Sequence, residues 1–202
     1  MNDKDISKYI ERYNGRLDMF GYDPRTLGWG GGKERQYLRF KILSEIGIGL
    51  NDSVLDIGCG FADFYGYLQE NGWTGQYLGV DINPNLLETA RNQYPGVRLE
   101  VLDILNDPVG NNYDWVVESG IFNAKLEYEG NLDYIEKMIK KMYEIAIKGV
   151  ACDFMSSYTD YQHAEAFHAD PADIIRISKN LGAKIIVRMD YLPYEYAVYC
   201  KK

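Results

Sequence analysis

Long apolar stretches are missing from this chain. Its longest apolar runs, such as Trp115–Val117, fall far short of the roughly 20 residues that a membrane helix needs. No segment carries the pattern of a secretory signal. A soluble, cytoplasmic protein without a membrane partner is expected. Cysteine is scarce: Cys59, Cys152 and Cys200 are an odd, scattered set with neither C-x-x-C nor Cys/His ligand spacing, which predicts reduced thiols and no metal. Histidine is scarcer still. His163 and His168, five apart in an acidic, aromatic stretch, read either as loop residues or as groups that touch substrate or carry a proton near neutral pH. Basic charge is also short. The 22 Lys and Arg against 30 Asp and Glu leave a formal net charge of −8, which argues against nucleic acid, because that affinity comes from cations neutralising phosphates.

What is present is an ordinary globular balance: 202 residues, 46% hydrophobic and 26% charged, enough for one compact domain with a substantial core. No repeat, low-complexity tract or linker interrupts it. Ile6, Ile10 and Tyr13, with Tyr9 beside them, predict an amphipathic helix over roughly residues 3–14. A second helix follows the Gly21–Pro24 turn and ends at Gly47. From Val54 short apolar runs alternate with helices: strands 54–57, 77–80 and 97–102, helices 62–70 and 84–93. This alternation predicts right-handed crossovers and a parallel sheet covered on both faces. A strand from Asp114 to Val117, a helix from about Leu132 to Ile147, a strand from Val150 to Phe154 and a helix from Pro171 to Leu181 capped by Asp170 continue it. Ile185–Met189 and Tyr196–Cys200 are joined by too few residues for a crossover helix, so they close the sheet as an antiparallel hairpin.

In an open α/β sheet the ligand lies beyond the carboxyl ends of the strands, where the winding reverses. The stretch VLDIGCGFADF, Val54–Phe64, puts Gly58, Cys59 and Gly60 there. Two glycines alone also suit an ordinary tight turn. A dinucleotide site would place a third glycine where Asp63 stands, and a carboxylate there opposes a pyrophosphate while it suits a cationic ligand or a helix N-terminus. Two further acids favour a ligand. Asp81 ends the second strand, 21 positions after Gly60, where a carboxylate accepts from both hydroxyls of a ribose. Asp103 ends the third strand, within reach of an adenine amino group.

This constellation resembles the class I S-adenosylmethionine-dependent methyltransferases, over nearly the whole chain from Val54. The resemblance implies a Rossmann-like, seven-stranded, mostly parallel sheet with a C-terminal antiparallel hairpin, formed by residues 51–202 beneath an N-terminal helical cover, residues 1–50. VLDIGCG stands at the nucleotide-binding loop of the family, Asp81 with Ile82 at its ribose acid, and Asp103 with Ile104 at its adenine contact. Carried over by position, Asp56 organises the loop or faces the methionine amino group, Gly58, Cys59 and Gly60 line the methionine moiety, and Asp63 stands behind them. Ala62 departs from the G-x-G-x-G that the family often shows. In WGGGKERQYLRF, Gln36 and Arg39 share a helical face; they reach into the site beside Trp29, with Arg39 pairing the methionine carboxylate, or else Arg39 bonds backbone and Trp29 merely packs.

Methyl transfer needs alignment and dryness more than acid–base chemistry. The acceptor is expected at the end of the fourth strand, where Glu118, Ser119, Phe122 and Asn123 occur in VVESGIFNAK rather than in the N-P-P-Y of amide and base N-methyltransferases. Glu118 has the alternative of a structural acid bonded to backbone amides. His163 or His168 is the candidate general base, and Tyr158 and Tyr161 the candidate pocket walls. The resulting expectation is an enzyme that methylates a small molecule at oxygen or nitrogen, as a monomer or homodimer. Three other readings stay open: a polyamine synthase of the same fold, for which Glu118 is the acid to examine; a nucleoside-binding module without catalysis; and a nicotinamide dehydrogenase, disfavoured by Asp63 and the closing hairpin.

Overall fold

Seven strands in one sheet are what the alternating pattern becomes in the computed structural model, which describes residues 1–202 apart from Gly31 and Asn111. The middle glycine of the Gly30–Gly32 run therefore lies outside the described residues. Helix α1 spans Asp3–Phe20 and α2 Gly32–Ser44; then come β1 (Val54–Ile57), α3 (Asp63–Glu70), β2 (Tyr77–Asp81), α4 (Pro84–Gln93), β3 (Leu99–Val101) and β4 (Tyr113–Glu118). A short 3-10 turn at Ile121–Asn123 leads to α5 (Asn131–Ile145), β5 (Ala146–Met155), α6 (Pro171–Asn180), β6 (Lys184–Arg188) and β7 (Glu195–Lys201). The strand order is β3-β2-β1-β4-β5-β7-β6. β7 runs antiparallel to both β5 and β6, and the other neighbours pair in parallel.

Alternation along each strand divides the core in two. Leu55, Ile57, Val116, Val150 and Cys152 face α5 and α6, where Ile135, Met138, Met142 and Ile174 meet them. Val54, Val117, Ala151 and Tyr199 face the other way, toward Phe40 and Leu43 of α2, Phe64 and Leu68 of α3, and Leu87 of α4. β1 sits between β2 and β4 with the chain winding outward in both directions, so a crevice opens at its carboxyl end.

The largest departures from the sequence reading are at the end of α1 and at the junction of α5 and β5. α1 runs on to Phe20, well past residue 14, because Gly15 weakens a helix without ending it and the chain first turns left-handed at Gly21, φ 62°. α5 stops at Ile145 and β5 begins at Ala146, where Val150 was expected. Ile147 continued the apolar stripe in sequence, yet it is half exposed on the strand, because Ala146 already pairs with Tyr113 of β4.

Candidate active site

The loop after β1 is pinned to β2 before any ligand enters. Val80 O accepts from the backbone N–H groups of both Gly58 (2.8 Å) and Cys59 (3.0 Å). Gly58 is left-handed, φ 69°, and a Cβ on it would fall 2.1 Å from Ile121 Cγ2. Ala62, in place of the third glycine, also takes a left-handed conformation, φ 58°. That backbone costs a side chain of its type roughly 1–2 kcal/mol, so the substitution keeps the loop shape at an energetic cost.

A cavity of about 910 Å³, counting the solvent at its mouth, lies over this loop. Its walls bring together Trp29, Gln36, Asp56, Gly58, Cys59, Gly60, Asp63, Asp81, Ile82, Asp103, Ile104 and Ser119. The cover contributes Tyr9 and Tyr13 of α1, Leu27, and Phe40 of α2, while Gly120 and Ile121 follow β4. Tyr9 and Tyr13, one helical turn apart, were legible only as an apolar face; which surface that face would meet was not. Met1 also lies at the cavity, with its ammonium 3.8 Å from Asp103 and 3.9 Å from Glu129.

Asp81 is buried at the end of β2. Each carboxylate oxygen accepts one backbone N–H, Oδ2 from Gly60 and Oδ1 from Asn83, both at 2.9 Å, which leaves lone pairs on both oxygens for a diol. Burial raises its pKa above the ordinary value, against those backbone bonds. Asp103 caps its own turn, accepting from Leu105 N–H (3.0 Å) and the Asn106 amide (2.9 Å). Asp56 accepts the Tyr77 hydroxyl at 2.6 Å. Burial, opposed by that bond and reinforced by Asp81 and Asp63, pushes Asp56 up to about 7. Asp63 fastens the cover to α3 and the end of α4: its carboxylate accepts from Tyr22 (2.6 Å), Gln36 (3.1 Å) and Tyr94 (3.3 Å). It does this at the first turn of α3, where the helix dipole favours an anion.

Ser119 joins the cavity to a buried polar layer behind it. Its hydroxyl donates to Asp153 Oδ2 at 2.5 Å, and Gly120 N–H donates to Oδ1 at 3.0 Å. Burial lifts Asp153 to about 6, against the nearby Arg39 and the Ser119 bond.

Other candidates lie elsewhere. Arg39 does not reach the cavity wall: its guanidinium is held by both carboxylate oxygens of Glu195 on β7 and stacks 4.2 Å from the Trp29 ring centroid. Glu118 is fully buried and accepts from the Asp153 (2.9 Å) and Ile121 (3.2 Å) backbone N–H groups, the structural alternative among its two readings. Burial and Asp153 hold its pKa well above the carboxylate range. Phe122 is core, stacked on Phe154 at 5.3 Å. Asn123 ties two segments together, accepting Met155 N–H on its side chain and Phe167 N–H on its carbonyl. His168 is spent within its loop, Nδ1 against Ser156 O (2.9 Å) and Nε2 against His163 N–H (3.3 Å). Tyr158 and Tyr161 are exposed, and His163 packs edge-on to Tyr161. None of these residues lines the cavity. Sequence spacing could not have excluded them, because the loop that carries the histidines and tyrosines is laid away from the cavity by contacts as remote as Asn123.

Among the described residues no group of three or more His, Cys, Asp or Glu could hold a metal, and no helix is long and apolar enough to cross a membrane. The three cysteines are free and buried.

Residues 54–149 match the model of a methyltransferase domain family. A Mycobacterium tuberculosis protein named "Putative methyltransferase" is 27% identical over 158 residues, covering 74% of this chain and 93% of its own. The crystal structure of magnesium protoporphyrin IX methyltransferase from Synechocystis with bound S-adenosylmethionine superposes with a TM-score of 0.69 at 19% identity, over 96% of each chain. A Micromonospora echinaspora amino pentose methyltransferase, also with S-adenosylmethionine, has a TM-score of 0.61 at 13% identity, over 84% of this chain and 92% of that one. The family match over residues 54–149, the curated relative and the shared sheet with its reversed last strand converge in support of a class I S-adenosylmethionine-dependent methyltransferase.

Proposed function

We propose that this enzyme methylates a small molecule at oxygen or nitrogen, with the methyl donor held in the cavity above β1. One observation carries the reading: the loop after β1, Asp81 at the end of β2 and Asp103 after β3 line the same cavity, beneath a cover of aromatic residues. The walls fit the donor. Asp81 has oxygens free for a ribose diol, Leu102, Ile82, Leu86 and Ile104 supply apolar flanks for a purine, and Gly58 leaves a cradle that any side chain would fill. Trp29, on the cavity wall, has its Nε1 buried with no hydrogen-bond partner among the described residues.

When bound, S-adenosylmethionine supplies an electrophilic methyl group on a positively charged sulfur. The chain does the rest. Asp56 and Asp63 give the neighbourhood a negative potential that favours a cationic donor over its neutral product. Tyr9, Tyr13, Leu27 and Phe40 exclude water, which keeps the charges effective and the methyl group from hydrolysis. Ser119, Gly120 and Ile121 form the wall where the acceptor is held. An O–H or N–H acceptor sheds a proton, and Ser119, already donating to Asp153, is placed to pass it inward.

A cavity partly closed by a helical cover, on a chain of net charge −8, supports a small acceptor. The two structural neighbours above are named for small-molecule acceptors as well. Glu118 lends no support to a polyamine synthase, since its carboxylate is occupied by backbone amides. The test is to incubate the enzyme with methyl-labelled S-adenosylmethionine and a cell extract divided into metabolite, protein and nucleic-acid fractions. Label is expected in the metabolites. Label confined to either macromolecular fraction would overturn the small-molecule reading, and donor binding without transfer would favour the non-catalytic module.

A further inference from the structure

The cavity is acidic, and its described lining holds no Lys, Arg or His side chain. Asp56, Asp63, Asp81 and Asp103 line it. The amino-acid end of the donor carries an ammonium, which the acids suit, and a carboxylate, which they do not. Arg39 was the expected partner for that carboxylate, but its charge is met by Glu195, to which Arg35 also donates at 2.9 Å. The Met1 ammonium faces Asp103 and Glu129. A carboxylate entering this cavity must therefore be met by uncharged donors.

Two such donors on the wall are committed: Gln36 donates to Asp63 and Ser119 to Asp153. Trp29 Nε1 is different. Among the described residues it is buried without a hydrogen-bond partner, and an indole N–H can only donate, so these residues leave the group at a cost that an acceptor atom reaching it from the cavity would remove. The indole is also unusually well fixed. Arg39 stacks on its face at 4.2 Å, Glu195 locks the guanidinium in plane with two bonds, and the six-membered ring lies so near Gly120 that a Cβ there would come 3.1 Å from Cη2. Glu195 itself is anchored in register with Met155 of β5.

Resting on the donor site described above, we propose that the Trp29 indole N–H receives the donor carboxylate, and that Arg39 and Glu195 are positioning residues that hold the indole in place. The guanidinium contributes through the ring it covers and does not touch the ligand.

Isothermal titration with S-adenosylhomocysteine and with its decarboxylated analogue separates the two ends of the ligand. Trp29→Phe keeps an aromatic face on Arg39 but lacks the N–H. It should weaken S-adenosylhomocysteine roughly tenfold to a hundredfold, as expected for a bond to a charged group, and change the decarboxylated analogue less than about threefold. Arg39→Lys keeps the charge and loses the planar face, so it should erode the same preference for the carboxylated ligand. In the wild-type protein, the Trp29 indole N–H resonance, assigned by its loss in Trp29→Phe, should move downfield with S-adenosylhomocysteine and not with the analogue. Equal losses for both ligands in Trp29→Phe, or an unmoved indole resonance, would overturn the inference while leaving the donor site intact. Failure of the wild-type protein to bind either ligand would remove the donor site and this inference with it.

Discussion

Gly60 and Asp81 are joined across the head of the sheet: the backbone N–H of the loop glycine donates to Oδ2 of the strand-end aspartate at 2.9 Å. In the proposed donor site this one carboxylate would both shape the loop at the methionine end and offer oxygens to the ribose, coupling loop geometry and sugar recognition through a single side chain. Asp81→Ala should weaken S-adenosylhomocysteine by at least about 1–3 kcal/mol, the cost of unpaired buried polar groups, measured by titration calorimetry. Unchanged affinity would take Asp81 out of the site.

Gly58→Ala should harm both stability and binding. Its Cβ would lie 2.1 Å from Ile121 Cγ2 on a backbone at φ 69°, adding steric overlap to a left-handed penalty of roughly 1–2 kcal/mol. The double variant Gly58→Ala/Ile121→Ala relieves the overlap and keeps the backbone strain, so urea denaturation should show partial recovery. Full recovery would mean that the left-handed turn is unimportant.

Asp56 should make stability fall as the solution becomes alkaline. Its folded pKa of about 7 lies above the ordinary 3.8, so the folded state binds more protons between those values. The associated stability is complete below 3.8 and lost as pH rises through 7. Asp56→Asn retains an acceptor for Tyr77 and cannot ionise. At pH 8 it should be more stable than the parent by on the order of a few kcal/mol, with the gain disappearing toward pH 4, while it binds the donor less well. Denaturation series at several pH values check the sign; a gain independent of pH would assign the effect to packing.

Glu118→Ala should unfold more easily without losing its ligand. The substitution strands the backbone N–H groups of Asp153 and Ile121, at a cost of roughly 1–3 kcal/mol each, but Glu118 does not itself line the cavity. A lowered urea midpoint with S-adenosylhomocysteine affinity within about threefold of the parent is the expected pair of results. Normal stability combined with lost binding would return Glu118 to the site.

Asp5 anchors the cover. Its carboxylate accepts from the consecutive backbone N–H groups of Glu127, Tyr128 and Glu129, at 2.9–3.4 Å, and α1 is also tied to α4 by Asn14 and Asn83 at 3.0 Å. Asp5→Ala should raise hydrogen exchange at amides 127–129 and along α1, and speed release of S-adenosylhomocysteine. Unaltered exchange in both segments would show the cover to be held by its apolar contacts alone.

The βα order, the closing hairpin and the acids at the strand ends were readable from the residues because each rests on local physics: two-residue alternation, helical periodicity, glycine where the backbone must turn left, proline after an N-cap aspartate. The place of Asp81 and Asp103 followed from strand ends alone. Helix lengths did not, since Gly15 and Ile147 each obey a local preference that a tertiary contact or a later turn outweighs.

Charge partnership was beyond the reach of sequence. Arg39 and Glu195 lie far apart in the chain and meet because β7 pairs with β5, and His168 turns to Ser156 O through a loop whose path depends on Asn123. The sequence by itself determined the sheet, its winding and the crevice at β1, because backbone hydrogen bonding and apolar burial repeat over short spacings. Only the tertiary structure decided which charges face the cavity and which cancel one another behind it, because a long polar side chain goes to whichever partner folding brings within hydrogen-bond reach.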